Sequence, residues 1–241
     1  MKKIKLLLER TLILLILSCS SDNTVSDETE MIYQELYING FRVFVEKRAY
    51  EIDMDLTNQA IELIESNLTE ITELNLNPSI LEQLKLTPLF VDWNTTDKSA
   101  VYHTSEQWII ENGYYEGKVK SIEISNIQNY LTWTNLNQPY MLLHEFSHAY
   151  HDRVLNFNDS RITDAYNDAL NKNIYTTVGY HFGNQNYGTV TSAYAITNEI
   201  EFFAELTESY FGLNDFYPYN RNDMEIYHIV GLEMIKAVWQ Q

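Results

Sequence analysis

The pentapeptide His144-Glu145-Phe146-Ser147-His148 combines the side chains that metal-assisted hydrolysis needs, at a spacing that a helix makes useful. Residues four apart on an α-helix share one face, one turn and roughly 5–6 Å apart, so two imidazoles can converge on one cation. His144 and His148 are therefore candidate zinc ligands. Glu145 follows the first His by one position and projects beside the cation, where a carboxylate can take a proton from zinc-acidified water. It is the candidate general base. The flanking Pro139 and the apolar Leu142, Leu143, Phe146, Ala149 and Tyr150 predict a packed helix around the motif.

A catalytic zinc takes three protein ligands and keeps a fourth position for water, so a third ligand is required. His151 lies seven residues beyond His144, a rise of about 10.5 Å, whereas atoms on one zinc sit roughly 3–3.5 Å apart. It cannot join both motif histidines. The extended pattern HExxHxxGxxH also fails, because His151 and Val154 occupy its last two defined positions. A second amphipathic segment, Asn198 to Phe211, carries Glu201, Glu205 and Glu208 at i, i+4 and i+7 beside Phe202, Phe203, Leu206 and Tyr210. Like charges so spaced repel unless a cation lies near them. Glu201 is the candidate third ligand, and Glu205, one turn on, the candidate acceptor for the outer nitrogen of a ligand histidine.

These residues resemble the gluzincin metallopeptidases, in which HExxH is followed by a downstream Glu: here His144, Glu145 and His148, then Glu201 and Glu205. Tyr194, seven residues before Glu201, is similar in spacing to a tyrosine of the group containing the anthrax lethal factor catalytic domain and the Pro-Pro endopeptidases. That resemblance implies a zincin-like fold and a Tyr194 phenol that supports an oxyanion. The stretches 143–155 and 193–219 are also similar to a family of secreted peptidases named for fungal conidiation. Asn198-Glu199 matches the Asn-Glu pair of thermolysin-type enzymes, but the i+4 partner of Glu199 would be Phe203, which cannot orient a histidine. Glu201 is the better fit.

The elements that must position these groups read as one α+β domain over residues 31–241. Leu36 to Ile38 and Phe41 to Val45 alternate around Asn39-Gly40, the signature of a hairpin turn. Leu89 to Trp93 and Ser121 to Ile124 read as short strands. Ile61, Ile64, Leu68 and Ile71 recur at helical spacing, as do Tyr227, Val230, Met234 and Val238. The expectation is a small sheet followed by the active-site helix and a second, ligand-bearing helix. The segment 180–190, rich in Gly, Asn and Tyr, is a candidate rim or lid, and His103, His181 and His228 are expected to be structural or surface residues.

At the amino end, Met1 to Lys5 is basic, Thr11 to Leu17 apolar and Ser18-Cys19 small, which predicts a signal peptide over 1–18. Ile16-Leu17-Ser18-Cys19 resembles a bacterial lipobox. Cys19 is the single cysteine, so it is the candidate lipidation site, and the chain has no second thiol with which to form a disulfide. Residues 19–30 read as a polar tether. Localisation is then a cell-envelope lipoprotein, touching membrane only through the lipid. The formal charge of −18 becomes −21 once 1–18, with four basic residues and one acidic, are removed. Such a field excludes nucleic acid and anionic lipid surfaces as partners.

The expected activity is hydrolysis of peptide bonds in a peptide or protein substrate, with zinc as cofactor, by a monomer. The alternative is a catalytically silent, surface-anchored binding protein that keeps the zincin shell.

Overall fold

The computed structural model describes residues 32–240, so the expected signal peptide, the candidate lipidation site Cys19 and the expected tether lie outside the described residues. Alternation in Tyr33–Ile38 (β1) and Phe41–Glu46 (β2) closes into an antiparallel hairpin, with Asn39 and Gly40 at φ of 52° and 88° supplying the left-handed turn. The short strands Leu89–Val91 (β3) and Ile122–Ile124 (β5) extend the sheet, β3 parallel to β2 and β5 parallel to β3, and Ala100–Tyr102 (β4) closes the edge antiparallel to β5. The order is β1-β2-β3-β5-β4. β4, Ala-Val-Tyr between Ser99 and His103, is a strand that the sequence pattern does not mark.

One face of this sheet, with Val43, Val45, Leu89, Val91, Ile122 and Ile124, forms the main core with the helices. Lys47–Ile52 (α1) leads into Met54–Glu73 (α2), which Asp53 caps and which buries Ile64, Leu68 and Ile71 as its spacing predicts. Pro78–Lys85 (α3), Glu106–Glu111 (α4) and Ile127–Leu136 (α5) follow, each started by a side-chain cap from Asn77, Ser105 or Asn126. The motif helix is Met141–Arg153 (α6), beginning two residues after Pro139. Ser160–Asn171 (α7) precedes a hairpin of Thr177–His181 (β6) and Tyr187–Thr191 (β7), which occupies the predicted rim. Glu199–Phe211 (α8) is the second predicted helix. The expected C-terminal helix is split into Arg221–Tyr227 (α9) and Ile229–Trp239 (α10). His228 leaves helical geometry there, and its ring is held between the Tyr175 hydroxyl (3.1 Å) and Asp168 (3.2 Å).

The architecture is α+β. No described helix is long and apolar enough to cross a membrane.

Candidate metal centre

Helices α6 and α8 pack against each other, so that His144 meets Glu201 and Glu208, His148 meets Glu201 and His151 meets Phe203. Apolar side chains enforce this. Phe146, Ala149, Phe202, Phe203 and Leu206 are essentially buried and leave the polar stripes of the two helices to face each other. Asn198 starts α8 by accepting from the backbone N–H groups of Ile200 and Glu201, which fixes the helix phase at the ligand. Glu199 then points away, accepting a hydrogen bond from Thr163 at 3.0 Å. The thermolysin-like pairing is thereby excluded as a ligand arrangement.

His144 Nε2 and His148 Nε2 stand 3.1 Å and 3.2 Å from the same Glu201 oxygen. The three ligand atoms lie within 4.8 Å of one another, and two imidazole nitrogens with one carboxylate oxygen are a donor set that suits zinc. Glu145, buried, lines the same cleft beside them. Burial would pull the His144 pKa down, but hydrogen bonds to Glu201 and Glu208 carry it well above its ordinary value. Burial likewise opposes ionisation of Glu201, yet hydrogen bonds from His144 and His148 hold its carboxyl well below the usual range. His144 and Glu201 thus form an ion pair within the cluster.

The outer nitrogen of His144 is held by Glu208 at 2.6 Å, whereas the predicted Glu205 stands 3.7 Å away. The shorter contact, expected of Glu205, is made here by Glu208. Side chains on a helix lean toward its N-terminus, so Glu208 reaches back to His144. Glu205 is instead engaged by Asn214, whose amide donates to its carboxylate at 3.1 Å and to its backbone carbonyl at 2.9 Å. Burial and the neighbouring Glu208 push the Glu205 pKa well above its usual value. The i+7 position of Glu208 in the acidic stripe was the available signal. A second convergent set, His144 with Glu205 and Glu208, shares the Nδ1 already bonded to Glu208 and is the supporting shell of the first.

Tyr194 sits on a short 3-10 turn (Tyr194–Ile196), 46 % exposed, its ring centroid 6.5 Å from that of His144. Partial burial and the Glu201 carboxylate push its pKa up to about 12, so the phenol keeps its proton and can donate. His151 is buried between Phe157 and Phe203, away from the ligand atoms, with a pKa depressed to about 4 by burial and by His148. The other three histidines are structural: His103 bonds Glu123, His228 bonds Asp168, and His181 stacks on Tyr187.

His144, Glu145, His148, Tyr194, Glu201, Glu205 and Glu208 line a cleft of about 700 Å³. One wall is the edge strand β4 with its approach, Asp97 to Thr104, and Tyr102 docks on α6 through its hydroxyl to Asp152 at 2.9 Å. The hairpin contributes Tyr180. Asp215, which sequence reasoning missed, joins the wall and accepts from Gln138 at 3.0 Å, tying the entry of α6 to the loop after α8. Its i+7 step beyond Glu208 falls outside the helix, where no periodicity marks it. Compared with protein-family models, curated proteins and solved structures, the chain finds no match.

Proposed function

We propose that this protein is a zinc-dependent metallopeptidase with a zincin-like catalytic domain. The observation that carries the reading is the convergence of His144 Nε2, His148 Nε2 and a Glu201 oxygen, with Glu145 beside them at the open side of a cleft. His144, His148 and Glu201 would hold the zinc, and Glu208 would orient His144 through its other nitrogen. A zinc so held supplies Lewis acidity, which lowers the pKa of a water and polarises a carbonyl. Glu145 accepts the proton of the attacking water and returns it to the departing amine. Tyr194 donates its phenolic proton in a hydrogen bond to the oxygen that gains charge. β4, open on its outer edge and facing the cleft, offers backbone groups to an extended substrate.

The reading extends to export, with the signal peptide over 1–18 and lipid attachment at Cys19 holding the domain at the cell envelope. The deciding experiment exposes an unbiased peptide library to the zinc-loaded protein beside Glu145→Gln. Cleavage by the wild type alone supports the assignment. A library left intact by both, with zinc bound, would refute it in favour of a silent binding protein.

A further inference from the structure

The hairpin β6–β7 turns one face inward and the other outward. Residues opposite each other in an antiparallel pair share a face, and the face alternates along each strand. Val178 and Val190 face the core and Tyr180 the cleft. The other face carries the opposed pairs Thr177 with Thr191, Gly179 with Thr189 and His181 with Tyr187, spread over about 14 Å of strand. The three threonines are exposed, and Tyr187 is 60 % exposed. The loop after α8 widens this face, because Phe216 bridges to Tyr180 and the Tyr217 N–H donates to the Gly179 carbonyl at 2.9 Å. A side chain at Gly179 would collide with the Tyr219 hydroxyl, so glycine there lets Tyr219 lie on the strand. Tyr187, Tyr219 and Tyr217 then follow one another edge to face, their ring centroids 5.6 Å and 5.4 Å apart, and His181 stacks on Tyr187 at 4.6 Å.

This strip carries no formal charge. From Asn173 to Asn198 the chain has no Lys, Arg, Asp or Glu, although 21 % of its residues are charged and its net charge is −18. Exposed strands ordinarily carry charge, which discourages pairing with other chains, and nothing in the packing of an outward face forbids it. Tyrosine with small hydroxyl and amide residues is the composition of recognition surfaces, where rigid rings give contact area and the polar groups both donate and accept. Charge then narrows the partner. The acidic protein repels an anionic polymer, and a cationic one finds carboxylates elsewhere on the surface but none in the strip. An apolar protein face would leave the threonine hydroxyls unpaired. An uncharged sugar polymer matches both features, with hydroxyls that donate and accept and C–H faces that pack on aromatic rings. We propose that the outward face of the β6–β7 hairpin, with Tyr187, Tyr219 and Tyr217 in a row beside Thr189, binds a neutral glycan. It lies on the face of the hairpin turned away from Tyr180 and needs no metal.

Titration calorimetry of the full-length protein with cellohexaose, xylohexaose, mannohexaose and maltohexaose tests it. At least one should bind with a Kd below about 1 mM. Tyr187→Ala should weaken that binding about 10-fold or more, whereas Tyr187→Phe, which keeps the ring, should weaken it about threefold or less. Because Tyr187 is exposed, both variants should melt within about 2 °C of the wild type. Hexagalacturonate, a carboxylated sugar, should bind at least about 10-fold more weakly than the best neutral one. Binding of none of the four neutral sugars, unchanged binding in Tyr187→Ala, or a preference for the carboxylated sugar overturns the inference. Should no sugar bind while Tyr187→Ala weakens capture of denatured casein, the strip serves a polypeptide and the glycan assignment is wrong.

Discussion

Two buried polar clusters lie on either side of the β4–β5 edge, built from the same residue types, and they balance charge differently. On the outer sheet face Lys118 pairs with Asp92 and, at 3.1 Å, with Glu123, while His103 bonds Glu123 and the Tyr33 hydroxyl donates to Asp92 at 3.1 Å. Two carboxylates meet two basic groups supplied by the chain. Rings of Tyr114 and Tyr33 cover the lysine, and the cluster pins the long β4–β5 connection over the sheet. In the cleft, Glu145, Glu201, Glu205, Glu208 and Asp215 face two imidazoles and the exposed Lys98. Carboxylates outnumber the basic groups there. A network that closes its own charge has a structural role, whereas one left carboxylate-rich around convergent imidazoles is suited to a divalent cation.

The sharpest break between the two should come from the cleft. Glu145→Gln should keep zinc, measured by metal analysis after desalting, and lose about 10²–10⁴-fold in turnover. Glu201→Gln should lose the zinc itself while the metal-free protein stays folded by circular dichroism. If both variants lose metal equally, Glu145 is a ligand and the assignment of roles is wrong.

The outer cluster should behave in the opposite way. Lys118→Met leaves two buried carboxylates facing one imidazole, and urea unfolding should show a loss of about 3–5 kcal/mol. Zinc affinity should be unchanged. A variant that unfolds normally but binds zinc poorly would merge the two clusters into one functional unit.

Within the cleft, Glu208→Gln should weaken zinc binding by about 10–100-fold, as removal of a group orienting a ligand histidine does. Glu205→Gln should weaken it less, because that carboxylate is engaged by Asn214. Competition with a chromogenic chelator ranks them, and the reverse order would restore Glu205 as the orienting group.

Proton linkage gives a smaller signal. Burial opposes protonation of His144, but hydrogen bonds to Glu201 and Glu208 raise its folded-state pKa above its unfolded value, so its ion pairing should stabilise the metal-free protein below the unfolded pKa. This contribution fades as pH rises through the folded pKa. On the proposed zinc reading, metal at His144 Nε2 would compete with that proton, so uptake at pH 7 should release about one proton and tighten with rising pH. Titration calorimetry in buffers of different ionisation enthalpy counts it, and a buffer-independent heat would contradict the charge state of the cluster. Smallest of all, Glu199→Gln should leave zinc affinity within about twofold, since Thr163 is its partner.

What could be read without coordinates was local. The four-residue step of His144 and His148 follows from helical rise alone, as do the Asn39-Gly40 turn and the buried stripe of α2. The chemical identity of the His-Glu-His group and the choice of Glu201 over Glu199 rested on the same periodicity, and the Asn198 cap agrees with it. What escaped was relational. Glu208 rather than Glu205 bonds His144 where two helices 64 positions apart at that pair pack together, and Asn214 from a later loop captures the other carboxylate. β4 became a cleft wall by pairing with β5, and Phe157 entered the cleft through a turn that its residue type disfavours. Spacing along one helix is dictated by bonds a few residues long; which side chains meet across two helices depends on how their apolar faces find the least exposed packing, and no local pattern encodes that choice.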